Sequence, residues 1–507
     1  MPVSATGCGP APLRHRSQVA GPGPPIAAHD RPVGGVPGPT TGGIAARRAQ
    51  DAVYRAPPAV RCTGAAGRRA TPAVGYREVV TTPAATAPGA TVPAATGPGD
   101  DDDRLDEDPV AAFLTAPVEG LRIAPFLAAI AAQAEESDRT RTVASSVIES
   151  LRGSDVMRMS ASRELGGLED EIGRMGRELE AVAATCPSLA WCLWNHLCLF
   201  HLFVGALGPD HLAFLQQIVA RGEWVSMGAG AGSSVYGRID GDEVVLDGQA
   251  TWSTGCRYAD HYGVAFAVVG DDGQPVRPLD LRFTVVPAAS EGISVDPTWD
   301  GSGLRASATD DVFYRSVRVP LDRCVAWYGV NRAESLRHAP VVHHRYREDW
   351  VGLSDLWLGW MAVGVVRGAL AEATGAARRR RVIMGKAMVE RPTVQINIGR
   401  AAALTAAARA AVEMASLEVD RRIEAGQTPT EADYLRQMAI VSMAVNQLVE
   451  AMDLLERSQG GTALRESGSF HRRQRDFRAM PLHINVHQDR VSHQVGRLVL
   501  GIELDAF

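Results

Sequence analysis

The strongest constraint on this chain is a change of hydropathy period that happens twice. Residues 105–220 carry apolar side chains at helical spacing, as in Pro125-Phe-Leu-Ala-Ala-Ile-Ala-Ala and Ser146-Val-Ile-Glu-Ser-Leu-Arg. Residues 222–325 instead alternate or run apolar between Gly, Asp and Pro breaks. Glu243-Val-Val-Leu, Tyr262-Gly-Val-Ala-Phe-Ala-Val-Val, Leu281-Arg-Phe-Thr-Val-Val and Val312-Phe-Tyr-Arg-Ser-Val-Arg-Val read as strands. From about 345 the helical spacing returns, in Ala-rich stretches such as Ala401 to Met414. Helices, then strands, then helices is not the βαβ alternation of a doubly wound fold. No G-x-G-x-x-G or P-loop sits between a strand and a helix, so nucleotide binding by those routes is unsupported. The order predicts an α+β, mainly α chain. It has an N-terminal helical domain (105–221), a central β domain (222–330) and a C-terminal helical bundle (331–507).

Residues 1–104 stand apart. They are rich in Pro, Gly, Ala, Thr and Arg. Ten arginines face three acids (Asp30, Asp51, Glu78) before the acidic cluster Asp100 to Asp103. Such a segment buries too little apolar surface to offset its ordering entropy, and is read as a disordered tail. Its prolines prevent the amphipathic helix of a transit peptide, and it has no secretory apolar core. A start codon placed too far upstream is an equally bland explanation.

Charge and cysteine content narrow the partners. The net charge of -6 implies no whole-protein nucleic-acid partner. Of the 52 basic residues only Lys386 is a lysine, a skew that matches GC-rich bacterial coding. The seven cysteines (Cys8, Cys62, Cys186, Cys192, Cys198, Cys256, Cys324) contain no C-x-x-C pair, which fits a reducing cytoplasm better than a disulfide framework. No apolar run is expected to span a membrane. The nearest, Leu189 to Leu207, is interrupted by Asn195, His196 and His201 and is read as a buried helix.

Six short words then occur in one order. They are Leu151-Arg-Gly-Ser-Asp-Val with Glu164-Leu-Gly-Gly; Thr251-Trp-Ser-Thr-Gly; Trp299-Asp-Gly-Ser-Gly-Leu-Arg-Ala-Ser; Val319-Pro320; Arg381-Val-Ile-Met-Gly with Gln395; and Gln459-Gly-Gly-Thr-Ala-Leu. Together they resemble the acyl-CoA dehydrogenase superfamily over residues 110–505. The proline that usually precedes the Glu of the first word is missing. The resemblance implies a central domain that is β-barrel-like, a C-terminal four-helix bundle and a homotetramer. It also implies flavin contacts from Trp252, Ser253 and Thr254, and cofactor-phosphate contacts from Arg381 beside the Gly460-Gly461 turn.

An acyl-CoA dehydrogenase needs a carboxylate base for the α-proton. Here the position of that base falls near Arg490, with Asp489 adjacent, and the alternative position near Leu358 offers only Asp355. The C-terminal segment instead resembles the flavin-dependent hydroxylase branch of the fold, through Arg475-Asp476, His483, Asp489 and Gly496 to Gly501. That branch usually has Ser where this chain has Thr254. Membership implies a monooxygenase that takes reduced flavin (FADH2 or FMNH2) from a separate NAD(P)H:flavin reductase. With O2 it forms a C4a-hydroperoxide that hydroxylates or N-oxygenates a small organic molecule, as in secondary metabolism. A dehydrogenase acting on an acyl thioester is the alternative. By this reading His483 is the base, His196 its reserve, and Asn195 a substrate-side residue. The residues alone also allow plainer roles. His196 suits a satisfied core histidine, Trp252 a packing residue, and His483 with His487 one helix face able to hold a metal with Asp489.

Overall fold

A computed structural model describes residues 108–505 apart from 231, 328–337 and 382–384. The tail expected over 1–104 lies outside the described residues. The first helical part runs through α1 (Pro109–Phe113), α2 (Leu127–Thr140), α3 (Ser145–Arg152), α4 (Ile172–Thr185), α5 (Pro187–Leu207) and α6 (Leu212–Arg221). Pro187 starts α5 at a position where a missing N–H costs nothing, and Gly208 ends it at φ 65°. Between its ends nearly every side chain is buried, so α5 is a central helix rather than a surface one.

The strands are β1 (Val225–Ala229), β2 (Ser234–Asp240), β3 (Glu243–Ser253), β4 (His261–Val269), β5 (Leu281–Pro287), β6 (Ile293–Asp296), β7 (Asp310–Pro320) and β8 (Val325–Ala326). Their order is β6-β7-β3-β2-β4-β5-β8, with β1 paired in parallel to β4. The first half of β4 carries β1, its second half carries β2, and β5 lines its other edge. That position explains the unbroken apolar run of β4, which is covered on both faces.

The barrel-like closure implied by resemblance does not occur. The sheet ends on β6, four residues long, and β8, two residues long, and these edges do not pair. Closing a barrel needs a continuous ladder around the ring. Two such short edge strands on opposite ends of an open sheet give none. Register shifts between β3 and β7, at Leu246/Gly248 and Ala250/Ser253, re-aim the strand end instead.

The second helical part contains α7 (Trp350–Arg379), α8 (Pro392–Glu424), α9 (Glu431–Gln459), α10 (Ser469–Arg478) and α11 (Gln488–Leu500). Helices α7, α8 and α9 pack along one another, and α4 packs on α7 and α8. The two helical parts therefore share one apolar core, while one face of the sheet closes over a second. Close approach of α4 and α7 depends on glycine. A Cβ at Gly364 would sit 2.3 Å from the Glu180 carbonyl oxygen, and one at Gly176 would sit 2.2 Å from the Trp360 ring.

Three helices are, contrary to expectation, long and apolar enough to cross a membrane by length and composition: α5, α7 and the stretch Glu431–Leu464. In α5 and α7 the apolar window is 83% and 89% buried against the rest of the protein, so those surfaces are already covered.

Candidate functional site

The end of β3 and the segment before β7 form one side of the site. Trp252 adopts φ 63°, a left-handed conformation costly for a bulky residue, and leaves 75% of its surface open. Its indole meets Trp299 edge-on, with centroids 6.1 Å apart. Ser253 is buried and its hydroxyl donates to the Gly228 carbonyl at 3.1 Å. Thr254 is different. Its Oγ1 lies 3.1 Å from Thr309 Oγ1, which lies 2.7 Å from Ser307 Oγ. The three hydroxyls form a buried line that ends at the strand terminus.

Thr309 and Ser307 belong to a loop that cannot rest on its own preferences. Leu304 and Ala308 both have left-handed φ (51° and 47°). Each such non-glycine residue costs roughly 1–2 kcal/mol. Contacts from elsewhere offset this. The Gly255 N–H and the Cys192 thiol both donate to the Ser307 carbonyl, at 2.9 and 3.3 Å, and Ser188 accepts from Ala306 N–H at 3.3 Å. Arg257 clamps Asp310 with two bonds of 2.6 and 3.1 Å.

Helix α5 also supplies the second side. Trp191 and Trp194 stand edge-on to the His483 ring, with centroids at 5.5 and 5.4 Å. Trp194 is fixed by donating to the Ser354 carbonyl at 2.9 Å. Asn195 lies on the helix face of Trp191, one turn on. Its buried Oδ1 has no hydrogen-bond partner. An orphaned buried acceptor costs free energy unless a ligand donor meets it.

His483 lies in a turn between α10 and α11, and His487 is the residue before α11. The two histidines therefore do not share a helix face. Among the described residues the side chains close enough to share a metal are Glu164, Glu169 and His343, not His483, His487 and Asp489. The protein around His483 pushes its pKa down to about 4, mainly by burial and secondarily through the Arg490 charge. The ring is thus neutral at neutral pH. The Asn485 amide lies 3.4 Å from His483 Nδ1. That is about 0.5 Å beyond a typical N–H acceptor distance, so the contact is weak.

His196 occupies a different place. Its Nδ1 accepts the Val225 N–H at 3.1 Å and its ring packs against Trp224, tying α5 to β1. Burial lowers its pKa to about 3, against a smaller opposing effect of a Met157 backbone hydrogen bond.

The third feature is a cavity of about 370 Å³ on the C-terminal helices, lined by Arg380, Arg381, Arg391, Arg457 and Gly460 among others. Arg381 is exposed and donates to the Gly385 carbonyl at 3.1 Å, and Arg380 is held by Gln459 at 2.6 Å. Among the described residues no acid pairs with Arg381, Arg391 or Arg457. Gly460 turns at φ 59°, and both Gly460 and Gly461 are open, so the backbone there can approach a ligand closely. Arg391 and Arg457 were not singled out in the sequence. Their signals were the start of α8 and the three residues before Gly460.

An open strand-end tryptophan, a hydroxyl line beside it and a basic, acid-free cavity suit a flavin with its phosphate. Asp489 is exposed on α11 and Asp355 buried in α7. Together with the helix–sheet–helix order, these features are similar to those of flavoenzymes of the acyl-CoA dehydrogenase type. Residues 356–488 match the family described as Acyl-CoA dehydrogenase, C-terminal domain. The chain is 25% identical over 399 residues to the oxygenase component of FADH(2)-dependent resorcinol hydroxylase from Rhizobium sp. (strain MTP-10005), covering 75% of this chain and 94% of that protein. Its fold is similar to that of XiaF from Streptomyces sp. in complex with FADH2 and glycerol (TM-score 0.68, 20% identity, 78% of this chain and 98% of the other). It is also similar to KijD3 in complex with FMN and a dTDP-amino-keto sugar (TM-score 0.65, 22% identity, 78% and 97%). The chain is thus similar over most of its length to flavin-dependent monooxygenases, and its fold is that of the acyl-CoA dehydrogenase type.

Proposed function

We propose that this chain is the oxygenase component that hydroxylates a phenolic ring. The carrying observation is His483, a neutral imidazole set edge-on against the paired rings of Trp191 and Trp194, with the unsatisfied Asn195 carboxamide on the helix face of Trp191. Flat aromatic walls with one base suit a planar substrate with a single ionisable hydroxyl. When bound, reduced flavin supplies the two electrons that split O2, one oxygen going to the substrate and the other to water.

The chain's own residues bind, dry and deprotonate. Trp191 and Trp194 exclude water. Asn195 Oδ1 accepts a proton donor of the substrate. His483 Nε2 accepts the phenolic O–H in the tautomer that carries its own proton on Nδ1; giving up the long Asn485 contact costs little. The proton passes to Nε2 as the ring carbon attacks, when the phenolic O–H becomes strongly acidic. Thr254 Oγ1, Ser253 and Trp252 would border a flavin ring, and Arg381, Arg391 and Arg457 would hold a flavin phosphate beside Gly460 and Gly461. His196 is a structural tie between α5 and β1.

The electrons come from a separate NAD(P)H:flavin reductase. Exposed Ile396, Met414, Met443 and Val449 on α8 and α9 support a homotetramer. The free, buried cysteines Cys186, Cys192, Cys198, Cys256 and Cys324 fit a cytoplasmic location.

Mixing the protein with reduced flavin, a panel of phenols and 18O2 should give a product heavier by one labelled oxygen atom. Conversion of an amino sugar instead, the reading favoured by the sugar ligand of KijD3, would overturn this assignment. So would desaturation of an acyl thioester. For the phosphate site, Arg457→Ala should weaken FMN binding roughly 10-fold, the order of one charge-assisted hydrogen bond. Riboflavin, which lacks the phosphate, should bind the variant as it binds the parent. Equal losses for both ligands would remove Arg457 from the phosphate site.

A further inference from the structure

Helix α10 touches the loop that carries the hydroxyl line, and the contact is built closely. A Cβ at Gly303 would lie 2.1 Å from the Arg475 carbonyl oxygen, so only glycine lets the loop reach the helix. From that helix the Asp476 carboxylate accepts the Leu304 N–H at 2.6 Å. Its neighbour Arg475 donates to the Ser302 carbonyl and pairs with Asp138 on α2 at 2.8 Å. Asp476 is buried, only 2% exposed.

The geometry points to Asp476 as a positioning residue for the flavin edge: by holding Leu304 it fixes the loop whose Ser307 and Thr309 hydroxyls aim Thr254 Oγ1. The argument starts from strain. Leu304 and Ala308 lie in a region that L side chains rarely adopt. A loop with two such residues keeps its shape only while anchored. The Arg257–Asp310 pair anchors its far end, and Gly255, Cys192 and Ser188 hold Ser307 and Ala306 in its middle. Asp476 anchors its near end, at Leu304. Between them Thr309 Oγ1 is reached by both Ser307 Oγ and Thr254 Oγ1. A hydroxyl that bonds two neighbours sets the rotor of each. Release of Leu304 lets the loop relax, moves Thr309 away from Thr254, and leaves the Thr254 hydroxyl free to turn. Ser307 and Thr309 are thus additional positioning residues, acting on flavin only through Thr254.

This inference rests on the reading of the β3 end as a flavin border, and the test separates the two. Three variants are compared in the full chain: Asp476→Ala, Asp476→Asn and Thr309→Val. Amide hydrogen exchange over residues 304–309 reads the anchor without flavin. It should rise at least about 10-fold in D476A, and stay near the parent rate in D476N, whose amide oxygen still accepts, and in T309V. Reduced-flavin affinity reads the hydroxyl line. It should fall about 3- to 10-fold in both D476A and T309V, the order of one hydrogen bond, and be restored in D476N. With a substrate present, both weakened variants should divert oxygen to hydrogen peroxide.

Unchanged exchange in D476A overturns the anchoring role. A D476N variant as impaired as D476A also overturns it, because charge rather than the accepting oxygen would then matter. Should D476A fail to fold, T309V still decides, since unchanged flavin affinity there refutes the hydroxyl line. A parent protein that binds no flavin refutes the flavin-border reading, and with it the proposed effect on Thr254, while the exchange result still judges the anchor.

Discussion

Replacing His483 with Ala should lower the rate of product formation by about 10²–10⁴-fold, the range for a lost general base, while reduced flavin is still bound and still consumed by O2. The oxygen should then leave as hydrogen peroxide. A plain packing defect is distinguished by pH. In the parent, kcat/KM should fall only at strongly acidic pH, because burial against Trp191 and Trp194 holds His483 down to about 4 and keeps it a neutral base at every higher pH. The variant has no base, so its rate should climb with pH toward the substrate's own ionisation, near 10 for a simple phenol by comparison with tyrosine. Phenols that carry electron-withdrawing groups, already ionised at neutral pH, should be the least affected. Stopped-flow of flavin oxidation alongside product and peroxide analysis measures all three quantities. A His483→Ala rate that is low at every pH, or one equal to the parent, would remove His483 from proton transfer. His483→Gln sharpens the result, because it keeps a hydrogen-bonding side chain beside the two tryptophans but cannot act as a base. It should bind substrate as the parent does and still fail to turn it over.

The order of helices and strands was legible because side-chain period is a local property. The unbroken apolar run at Tyr262–Val269 announces a strand covered on both faces, and β4 is that strand. Closure of the sheet was not legible. It depends on whether the partner of β7 and the partner of β5 also meet each other, and nothing local to Ile293–Asp296 or Val325–Ala326 encodes that. The same limit applies to the site. The strand end at Trp252, Ser253 and Thr254 could be read from one five-residue word. Thr309, 55 positions from Thr254, could be joined to it only in space. His483 and His487 fit a helix by spacing alone. Pro481 and the turn that follows keep the segment out of a helix until Gln488. Nor does any local pattern join Cys192 to the Ser307 carbonyl, to which it donates.

The largest effect on stability should come from Glu180→Ala, far from the chemistry. Glu180 on α4 is 1% exposed and accepts from Arg409 of α8 at 3.1 Å and from Arg367 of α7 at 3.1 Å. Arg409 also pairs with Glu413 at 3.1 Å and lies 5.2 Å from the centroid of the Trp360 ring. Cutting the carboxylate takes from Arg367 its carboxylate partner and leaves Arg409 with Glu413 alone. Breaking a buried ion pair from one side costs about 3–5 kcal/mol. Against a typical total of about 5–15 kcal/mol that is a large share, and the melting temperature should fall on the order of 5–10 °C. The carboxylate is not thereby a large net source of stability, since taking three charges out of water costs most of what their attraction returns. The triple variant Glu180→Leu, Arg367→Met, Arg409→Met removes every uncompensated charge and should therefore recover most of the loss. Calorimetry of the single and triple variants decides the matter. If the triple variant is as unstable as the single one, packing volume rather than stranded charge holds α4 against α7 and α8. Recovery would mean that the ion network mainly specifies which helices meet, joining a helix of the first part of the chain to two of the last, and with them the α5 wall and the α10 anchor on opposite sides of the site.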